Sequence, residues 1–360
     1  MKKMMKRIAV ITAVIVVILG SYAAYVLTAY YRLPDNLTLE VKRNGANHYF
    51  EDKELYKAGE YYWAMTYNIG FGAYRKDFSF FMDGGKYSQA KDEDSVVASV
   101  CGIGDIINAV NPDFLFLQEV DVDGTRSHHV NQVDLLNQFV LGYYYTFAQN
   151  YDSPYLFFPP WEPHGANVSG LLTYSKPQIT DAMRRSLPIS QSLGKLVDLD
   201  RCYSVSRVPL DNGKQLCLYN VHLSAYVSDE SLKDAQLAML YRDMEGDYQK
   251  GNYVVCGGDF NRNLKKEDSD SASANQVQLF SRENLPEGFT LAIDEAKEEK
   301  IKHNTCRDGG KPYEEDTSDT VTLDGFIVSE NINVNYYYHM DWGYEFSDHE
   351  PVIMQFQIIE

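Results

Sequence analysis

Six apolar, strand-like segments of this 360-residue chain end in polar side chains, and no other feature constrains its fold more. They are TYN, FLFLQE, LYNVH, YVVCGG, VTL and the last strand, which follows SDH. The polar groups are Asn68, Glu119, His222, Asp259, Asn261, Asp324, Asp348 and His349. One such residue alone is usually a turn or capping residue. Because loops and functional groups collect at strand ends, eight together predict one shared site.

The order of apolar segments along the chain predicts the fold class. Strand-like runs are interrupted by a few amphipathic helices, and residues 95–110 show helical spacing at Val96, Val100, Ile103 and Ile107. The turn Asp-Asn-Gly at 211–213 is typical of a tight hairpin. Many strands without strict alternation of strand and helix favour two mixed sheets packed face to face. We therefore expect an α+β fold, a four-layer α/β sandwich with flanking helices.

The N-terminus carries the long uncharged apolar run of the chain. Residues 1–7 (MKKMMKR) hold four positive charges, and residues 8–29 hold none of either sign. At about 1.5 Å per residue, this run is long enough for a hydrocarbon core of roughly 30 Å. The alternative is a cleaved signal peptide with a small-x-small site at residues 21–23. The run exceeds the usual apolar region of a signal peptide, so we favour an uncleaved transmembrane anchor.

This anchor defines the expected organisation of the chain. The basic flank, residues 1–7, is expected in the cytoplasm, because positive charge is retained there. Residues 8–29 are then the anchor, residues 30–59 a stalk or linker, and residues 60–360 one exported domain. We expect a single-pass protein of the cell membrane with this domain outside, or a secreted protein if the run is cleaved.

Charge and cysteine content exclude several classes of protein. The chain has 33 basic and 51 acidic residues, a net charge of −18. Without the four basic residues of the flank, 29 face 51, or about −22. Such acidity disfavours a protein that tracks a nucleic-acid backbone, although bound cations offset the repulsion at a nuclease site. Five cysteines without a CxxC pair fit neither a disulfide framework nor a zinc knuckle.

Seven stretches resemble the endonuclease/exonuclease/phosphatase superfamily in that family's order. They are MTYNIG, DFLFLQEVD, SGLLTYSK, YNVHLS, GGDFNRN, TLDGFIVS and FSDHEPV. QEV or GDFN alone is a weak signal, whereas the ordered set ending in SDH is specific. The superfamily includes DNase I-like nucleases, abasic-site endonucleases, neutral sphingomyelinases and inositol polyphosphate 5-phosphatases. The resemblance implies a DNase I-like fold and a metal-dependent phosphoric ester hydrolase over roughly residues 61–359.

The resemblance also implies catalytic roles. Hydrolysis of a phosphate ester needs charge neutralisation, an activated water and a proton for the leaving oxygen. By resemblance Asp259 orients or deprotonates the water, His222 protonates the leaving group, and Asn261 donates an amide N–H to a phosphoryl oxygen. Asp324 holds His349 in one tautomer, which lets the imidazole act on protons or stabilise charge. Which of Asp259, His222 and His349 is the acid and which the base stays open.

A divalent cation and a phosphate-binding set complete the expected site. Oxygen ligands select Mg²⁺ or Mn²⁺, and the absence of a Cys/His cluster argues against zinc. Glu119 is the leading metal ligand; by resemblance Asn68 lies beside it, contacting metal or phosphate, and Asp348 supports the metal side. The candidate substrate-binding residues are Asn68, Asn261, Arg126 and Arg307. The two arginines are included because isolated basic residues suit a phosphate, and solvated loop charges are the alternative for them.

The sequence identifies the reaction more closely than the substrate. Residues 155–161 (YLFFPPW) are unusually apolar for a loop and are either a buried strand edge or an exposed rim that touches lipid. A tethered acidic domain with such a rim favours a lipid or small-molecule phosphate ester, diester or monoester. An extracellular DNase I-like endonuclease is an alternative, as is an inactive member that binds a phosphorylated ligand. We predict no protein partner.

Overall fold

The computed structural model describes residues 2–45, 56–190, 199–225, 230–265, 277–295 and 301–359. Within these ranges the α-helices are α1 (Lys2–Ala29), α2 (Glu93–Val110), α3 (Gln132–Leu136), α4 (Glu230–Tyr248) and α5 (Ala292–Glu295). Short 3-10 helices lie at Gly70–Gly72, Phe81–Asp83, Thr125–Ser127 and Arg282–Asn284. The strands are β1 (Leu37–Thr38), β2 (Lys42–Arg43), β3 (Tyr61–Asn68), β4 (Phe114–Gly124), β5 (Tyr144–Asp152), β6 (Asn167–Ser175), β7 (Asp181–Ser186), β8 (Cys202–Pro209), β9 (Gln215–His222), β10 (Tyr253–Asp259), β11 (Phe289–Leu291), β12 (Cys306–Arg307), β13 (Thr320–Val321), β14 (Asp324–Ser329), β15 (Ile332–His339) and β16 (Val352–Ile358).

Two large mixed sheets form the body of the described chain. One has the order β1-β7-β8-β9-β10-β14-β11, and the other has the order β15-β16-β3-β4-β6-β5-β2. Each contains one parallel pair, β9 with β10 and β3 with β4, among antiparallel neighbours. The central strands of the two sheets pack on each other, and α2 and α4 lie on the outer faces. The predicted sandwich of two mixed sheets with flanking helices is confirmed.

Strand β4 shows how the apolar pattern produces this layering. Phe114 and Phe116 are buried in the cluster between the sheets, while Leu115 and Leu117 are buried in the cluster beneath α2. Successive side chains of a strand point to opposite faces, so a strand covered on both sides reads as a continuous apolar run. Burying such side chains stabilises the fold by roughly 1.5–3 kcal/mol each.

Helix α2 is defined by local sequence at both ends. The Asp92 carboxylate accepts a hydrogen bond from the Ser95 backbone N–H, and the Ser95 hydroxyl is bonded to the Asp92 backbone, which forms a capping box. The helix ends at Asn111, whose backbone is left-handed at φ 49° and which precedes proline. The residues predicted for its buried face, among them Val96, Val100 and Ile103, are buried.

A polar link crosses the otherwise apolar space between the sheets. The Gln118 side chain on β4 donates to the Asn220 side-chain oxygen on β9 at 2.8 Å. The Asn220 amide donates in turn to the carbonyls of Leu117 and Leu172, each at 3.2 Å. All the side-chain groups involved are buried, so the link satisfies backbone oxygens that no water reaches.

The segment expected to be a stalk differs from that expectation in its described part. Strand β1 pairs with β7 and β2 pairs with β5, so the segment adds an edge strand to each sheet. The Tyr30 hydroxyl donates to Asp200 at 2.6 Å, and Asp35 pairs with Arg185 at 3.0 Å. Sheet edges carry unpaired backbone groups, and these short strands satisfy them. Residues 46–55 of the expected stalk lie outside the described residues.

Helix α1 stands apart from this packing over most of its length. Its apolar side chains from Ile8 to Leu19 are largely exposed. Within the described ranges it is the helix that is long and apolar enough to cross a membrane, and a signal sequence meets the same criterion. The five cysteines, all in described segments, are unpaired thiols.

Candidate active site

The ends of the central strands of both sheets meet at a cavity of about 230 Å³. Of the sequence-predicted residues, those that line it are Glu119, Arg126, His222, Asp259, Asn261, Arg307, Asp348 and His349. Asn68 and Asp324 lie directly behind this wall and hydrogen-bond to members of it. All ten candidates are therefore brought together at one place.

Three neighbouring strands deliver His222, Asp259 and Asp324 to the same level. Asp259 at the end of β10 is paired with His222 on β9 and with Asp324 on β14. The side-chain oxygen Oδ2 of Asp259 lies 3.5 Å from Nε2 of His222. Since adjacent strands are about 4.8 Å apart, this register alone brings the polar groups into contact.

Strand β4 brings Glu119 to the cavity through a break in its regular pairing. The register of β4 against β6 shifts between Leu117 and Val120, and Glu119 adopts a left-handed backbone with φ 55°. A bulge of this kind re-aims a side chain, and a positive φ in a residue other than glycine is strained. The Glu119 carboxylate thereby turns toward the cavity, 3.9 Å from Nε2 of His222.

Asn68 contacts two carboxylates and a backbone N–H, and its expected contact with metal or phosphate stays a prediction. Its amide nitrogen donates to Oε1 of Glu119 at 3.3 Å and to Oδ2 of Asp259 at 3.1 Å. Its amide oxygen accepts a hydrogen bond from the Gly70 backbone N–H. The side chain therefore links the two carboxylates and does not present its oxygen to the cavity.

His349 and Asp324 form a buried pair. Nδ1 of His349 lies 2.7 Å from Oδ2 of Asp324, and Nε2 lies 3.8 Å from Oδ2 of Asp259. Burial disfavours the charged imidazolium, but the Asp324 carboxylate outweighs this effect and raises the pKa of His349 well above its usual value. The pair fixes the tautomer of the ring, and Nε2 faces the cavity.

The other ionisable groups are shifted chiefly by burial. Burial raises the pKa of Asp259 to about 7 and also raises the pKa of Glu119. Burial, reinforced by the positive charge of Arg201, holds the pKa of His222 well below its usual value. The buried carboxylate of Asp259 and the partly buried carboxylate of Glu119 share the Asn68 amide, and the Asp348 charge lies near Glu119. A divalent cation would stabilise this group of negative charges.

The donor chemistry fits a hard divalent cation. Glu119 and Asp348 offer carboxylate oxygens to the cavity, and the Asp348 charge is close enough to raise the pKa of Glu119 further. Oxygen ligands of this kind suit Mg²⁺ or Mn²⁺. A second group, Asp259, Asp324 and His349, has potential ligand atoms within 4.8 Å of one another. Because His349 and Asp324 already share a hydrogen bond through these atoms, we assign that group to proton chemistry.

Asn261 and Asp348 are held by backbone geometry. Asn261 has a left-handed backbone with φ 49°, and its N–H donates to Oδ1 of Asp259 at 2.9 Å. Its side-chain amide donates one hydrogen bond to the Leu223 carbonyl at 2.8 Å, which leaves the second amide N–H for a ligand. Beside Asp348, a Cβ at Gly70 would lie 2.9 Å from the carboxylate oxygen, so this position requires glycine.

The two arginines expected to bind phosphate are engaged by the protein itself. Arg126 makes two hydrogen bonds to Asp121, at 3.0 and 2.7 Å, and stacks over the Phe71 ring. Arg307 donates to five backbone carbonyls, those of Tyr74, Arg75, Phe78, Asp308 and Lys311. Both line the cavity, but their hydrogen bonds hold its walls together.

Sequence reasoning missed Arg201 and the aromatic wall of the cavity. Arg201 is buried, lines the cavity and acts electrostatically on His222. The aromatic wall consists of Phe71, Tyr74, Phe80, Tyr151 and His164. Arg201 directly precedes an apolar strand, and that placement is the one signal that the sequence offered.

Comparison with known proteins agrees with this fold. The model of the Endonuclease/Exonuclease/phosphatase family matches residues 65–349. No curated protein matches the chain in sequence.

Solved structures similar to this chain share its fold at low sequence identity. A Leptotrichia buccalis endonuclease/exonuclease/phosphatase family protein has a TM-score of 0.55 and 13% identity, covering 82% of this chain and 100% of its own. D. rerio TDP2 complexed with single strand DNA product has a TM-score of 0.54 and 14% identity, covering 82% and 99%. The human Nocturnin catalytic domain with bound sulfate anion has a TM-score of 0.52 and 19% identity, covering 83% and 94%.

Proposed function

The chain belongs to the endonuclease/exonuclease/phosphatase family of metal-dependent phosphoric ester hydrolases, and on this premise we propose its substrate and location. It hydrolyses a lipid or small-molecule phosphate ester outside the membrane in which α1 is anchored. The observation that carries the proposal is the convergence of Glu119, Asp259 and His349, with their supporting groups, on one cavity.

In this proposal Asp259 is the group that orients or deprotonates the attacking water. Its carboxylate contacts both imidazoles, and a pKa of about 7 lets it take up and release a proton near neutral pH. His349, oriented by Asp324, stabilises charge or moves a proton at Nε2. His222, within 3.5 Å of Asp259, is the proposed donor to the leaving oxygen. Because its low pKa leaves the ring neutral in the resting site, it would first take up the proton that Asp259 removes from the water.

Glu119 and Asp348 are the proposed ligands of the divalent cation, Mg²⁺ or Mn²⁺. When bound, such a cation neutralises phosphate oxygens and lowers the pKa of a bound water. Asn68 keeps the Glu119 and Asp259 carboxylates at a fixed spacing through its amide N–H groups. The second amide N–H of Asn261 is the proposed donor to a phosphoryl oxygen, and Arg126 and Arg307 supply positive charge from the wall.

Charge supports a lipid or small-molecule substrate. The part of the chain after the basic flank carries about −22, and a long polyanion would be repelled by it. A single phosphate group carries far less charge than a polyanion, and the cavity offers it the arginines Arg126, Arg201 and Arg307 among its acidic lining residues. A small ester is therefore favoured over a nucleic acid.

An extracellular nuclease is the second candidate. One similar structure is that of D. rerio TDP2 complexed with single strand DNA product, which supports nucleic acid as an alternative ligand. An inactive member that binds a phosphorylated ligand is disfavoured, because the acidic, amide and imidazole groups needed for hydrolysis are all present.

The proposed location follows from α1. Residues 1–7 stay in the cytoplasm, residues 8–29 span the membrane, and the hydrolase, residues 60–360, lies outside. Cleavage near residue 23 would instead release a secreted enzyme. The length and composition of α1 support the first arrangement.

The substrate is identified by a panel tested with the detergent-purified full chain. The panel contains a chromogenic phosphodiester, sphingomyelin, phosphatidylinositol phosphates, soluble inositol phosphates, RNA and plasmid DNA, each with Mg²⁺, Mn²⁺ or EDTA. We expect cation-dependent hydrolysis of the chromogenic diester and of a lipid or inositol ester, and none with EDTA. Faster hydrolysis of DNA or RNA than of any other substrate would select the nuclease.

The Glu119→Gln variant tests the site directly. Removal of the carboxylate charge should lower turnover of the chromogenic diester by at least ~10²-fold, since charge stabilisation in a closed site is worth several kcal/mol. The matched control is Glu345→Gln, a partly exposed glutamate that pairs with Arg75. Wild-type turnover in Glu119→Gln, with the same fold by circular dichroism, would remove the proposed site.

A further inference from the structure

Residues 155–161, the aromatic loop, expose three large apolar side chains within five residues. Phe157 is 59% exposed, Phe158 is 63% exposed and Trp161 is 77% exposed. Each such side chain forgoes roughly 1.5–3 kcal/mol of burial. Exposed apolar residues are common singly, but a cluster indicates a surface that is covered in use.

The aromatic loop is bonded to the last turns of α1. The Tyr22 hydroxyl donates to the Tyr155 carbonyl at 3.2 Å and accepts from the Phe157 N–H at 3.1 Å. The Tyr155 N–H donates to the Tyr25 hydroxyl at 3.1 Å. The Tyr22 and Phe157 rings meet edge to face with centroids 5.4 Å apart. The loop therefore keeps a fixed height along the helix axis.

That height lies inside the segment α1 needs to cross a bilayer. A transmembrane helix requires about 20 apolar residues, and counted from Ile8 this reaches about residue 27. Tyr22 and Tyr25 lie within the last two turns before that point, so the loop attached to them is carried to the outer edge of the hydrocarbon core, next to the membrane interface. Tyrosine and tryptophan are the side chains enriched at that level.

The same region borders the catalytic cavity on two sides. On one side Tyr30 donates to Asp200, which stands between two cavity-lining residues, Leu199 and Arg201. On the other side the Phe158 ring packs on Phe81, which packs on His164, a further lining residue. The anchor and the loop thus each reach the cavity wall through one intermediate residue, Asp200 and Phe81 respectively.

We infer that Phe157, Phe158 and Trp161 insert into the interface of the bilayer that α1 spans and hold the cavity at the lipid headgroups. The inference rests on the proposed membrane anchoring and makes a membrane phospholipid the substrate class. Because the domain is acidic, anionic lipid does not attract it electrostatically. Insertion is therefore driven by apolar and aromatic contact. Uncharged phosphatidylcholine vesicles are therefore a sufficient probe.

Quenching by brominated lipid measures this insertion. The full chain is reconstituted in phosphatidylcholine vesicles with or without bromine on the acyl chains, and tryptophan fluorescence is compared. The chain has Trp63, Trp161 and Trp342, and none lies in α1. We expect bromine to quench the wild type, the Trp161→Phe variant to lose most of that quenching, and the matched Trp342→Phe variant to keep it.

A second pair of variants separates insertion from folding. Phe157→Ser/Phe158→Ser should reduce quenching of Trp161, whereas Tyr336→Ser/Tyr338→Ser, which alters exposed aromatics elsewhere, should not. Both should hydrolyse the soluble chromogenic diester at the wild-type rate. Equal quenching in wild type and Trp161→Phe would overturn the inference.

Two further readouts distinguish failure of the inference from failure of the proposed function. If the chain does not float with the vesicles after an alkaline wash, α1 is not a transmembrane anchor, and the inference, which depends on that anchor, is wrong as well. If the chain floats and hydrolyses the diester but Trp161 is not quenched, the proposed hydrolase activity is supported and the proposed insertion of the aromatic loop is wrong. Absence of cation-dependent hydrolysis refutes the proposed function whatever the quenching.

Discussion

At the scale of single residues, burial decides what a histidine and an aspartate do together. His349 and Asp324 lie 2.7 Å apart with both side chains almost fully buried, and the pKa of His349 is raised. His303 and Asp341 lie 3.2 Å apart with both side chains nearly half exposed. The buried carboxylate acts through a low-dielectric medium, while solvent screens the exposed one. The same pair of residue types is thus a positioning device in one place and a weak surface contact in the other.

This contrast predicts unequal effects of the same substitution. Asp324→Asn should lower kcat for the chromogenic diester by roughly 10²–10⁴-fold, because the His349 ring loses the partner that sets its tautomer. KM should change little, since Asp324 lies behind the cavity wall. Steady-state kinetics on the full chain measures both parameters.

The matched control is Asp341→Asn, which removes the exposed carboxylate of the other pair. It should leave kcat within about twofold of the wild type, because exposed ion pairs contribute roughly 0–1 kcal/mol. Equal losses in the two variants would mean that the buried pair has no special role.

At the scale of secondary-structure elements, two irregular features of β4 and its neighbours shape the molecule. The bulge between Leu117 and Val120 turns Glu119 to the cavity. Next to it Gln118 reaches across to Asn220 on the opposite sheet. One short stretch of β4 therefore provides both a site residue and a polar connection between the two sheets.

The polar connection predicts a stability effect. Asn220→Ala should lower the free energy of unfolding by roughly 2–4 kcal/mol, because buried carbonyls of Leu117 and Leu172 and the Gln118 amide lose partners. Urea denaturation of the detergent-solubilised chain measures the loss. Asn333→Ala, which changes an exposed asparagine on β15, should stay within about 0.5 kcal/mol of the wild type. A loss in Asn220→Ala no larger than in this control would show that the connection is dispensable.

At the scale of the whole molecule, the segment after α1 joins this helix to both sheets. Strands β1 and β2 occupy the outer edge of one sheet each, and Asp35 binds Arg185 and the Ser186 N–H. The domain is therefore connected to α1 by a structured segment, and these contacts would set its orientation if α1 spans a membrane as proposed. The contacts of the aromatic loop with α1 therefore define where the loop lies relative to the proposed membrane-spanning segment.

Two truncations test how far the structured domain extends. Removal of residues 1–29 should give a chain that stays in the supernatant after ultracentrifugation and hydrolyses the soluble diester at the full-length rate. Removal of residues 1–43 deletes β1, β2 and the Asp35 contacts, so it should lower the Tm by a few degrees and expose sheet edges that promote association. Equal thermal stability of the two products would mean that residues 30–43 are a passive linker.

Local pattern was enough to predict the central strands, α2 and the polar residues that end those strands. Side-chain periodicity and capping depend on neighbours in sequence, and polar strand ends in a covered sheet share one edge. The contacts of each group were decided by tertiary structure. Arg307 is bound by carbonyls more than 220 positions earlier, and the aromatic loop by tyrosines about 130 positions earlier. Such partners meet only after the sheets have packed, so no local pattern encodes them.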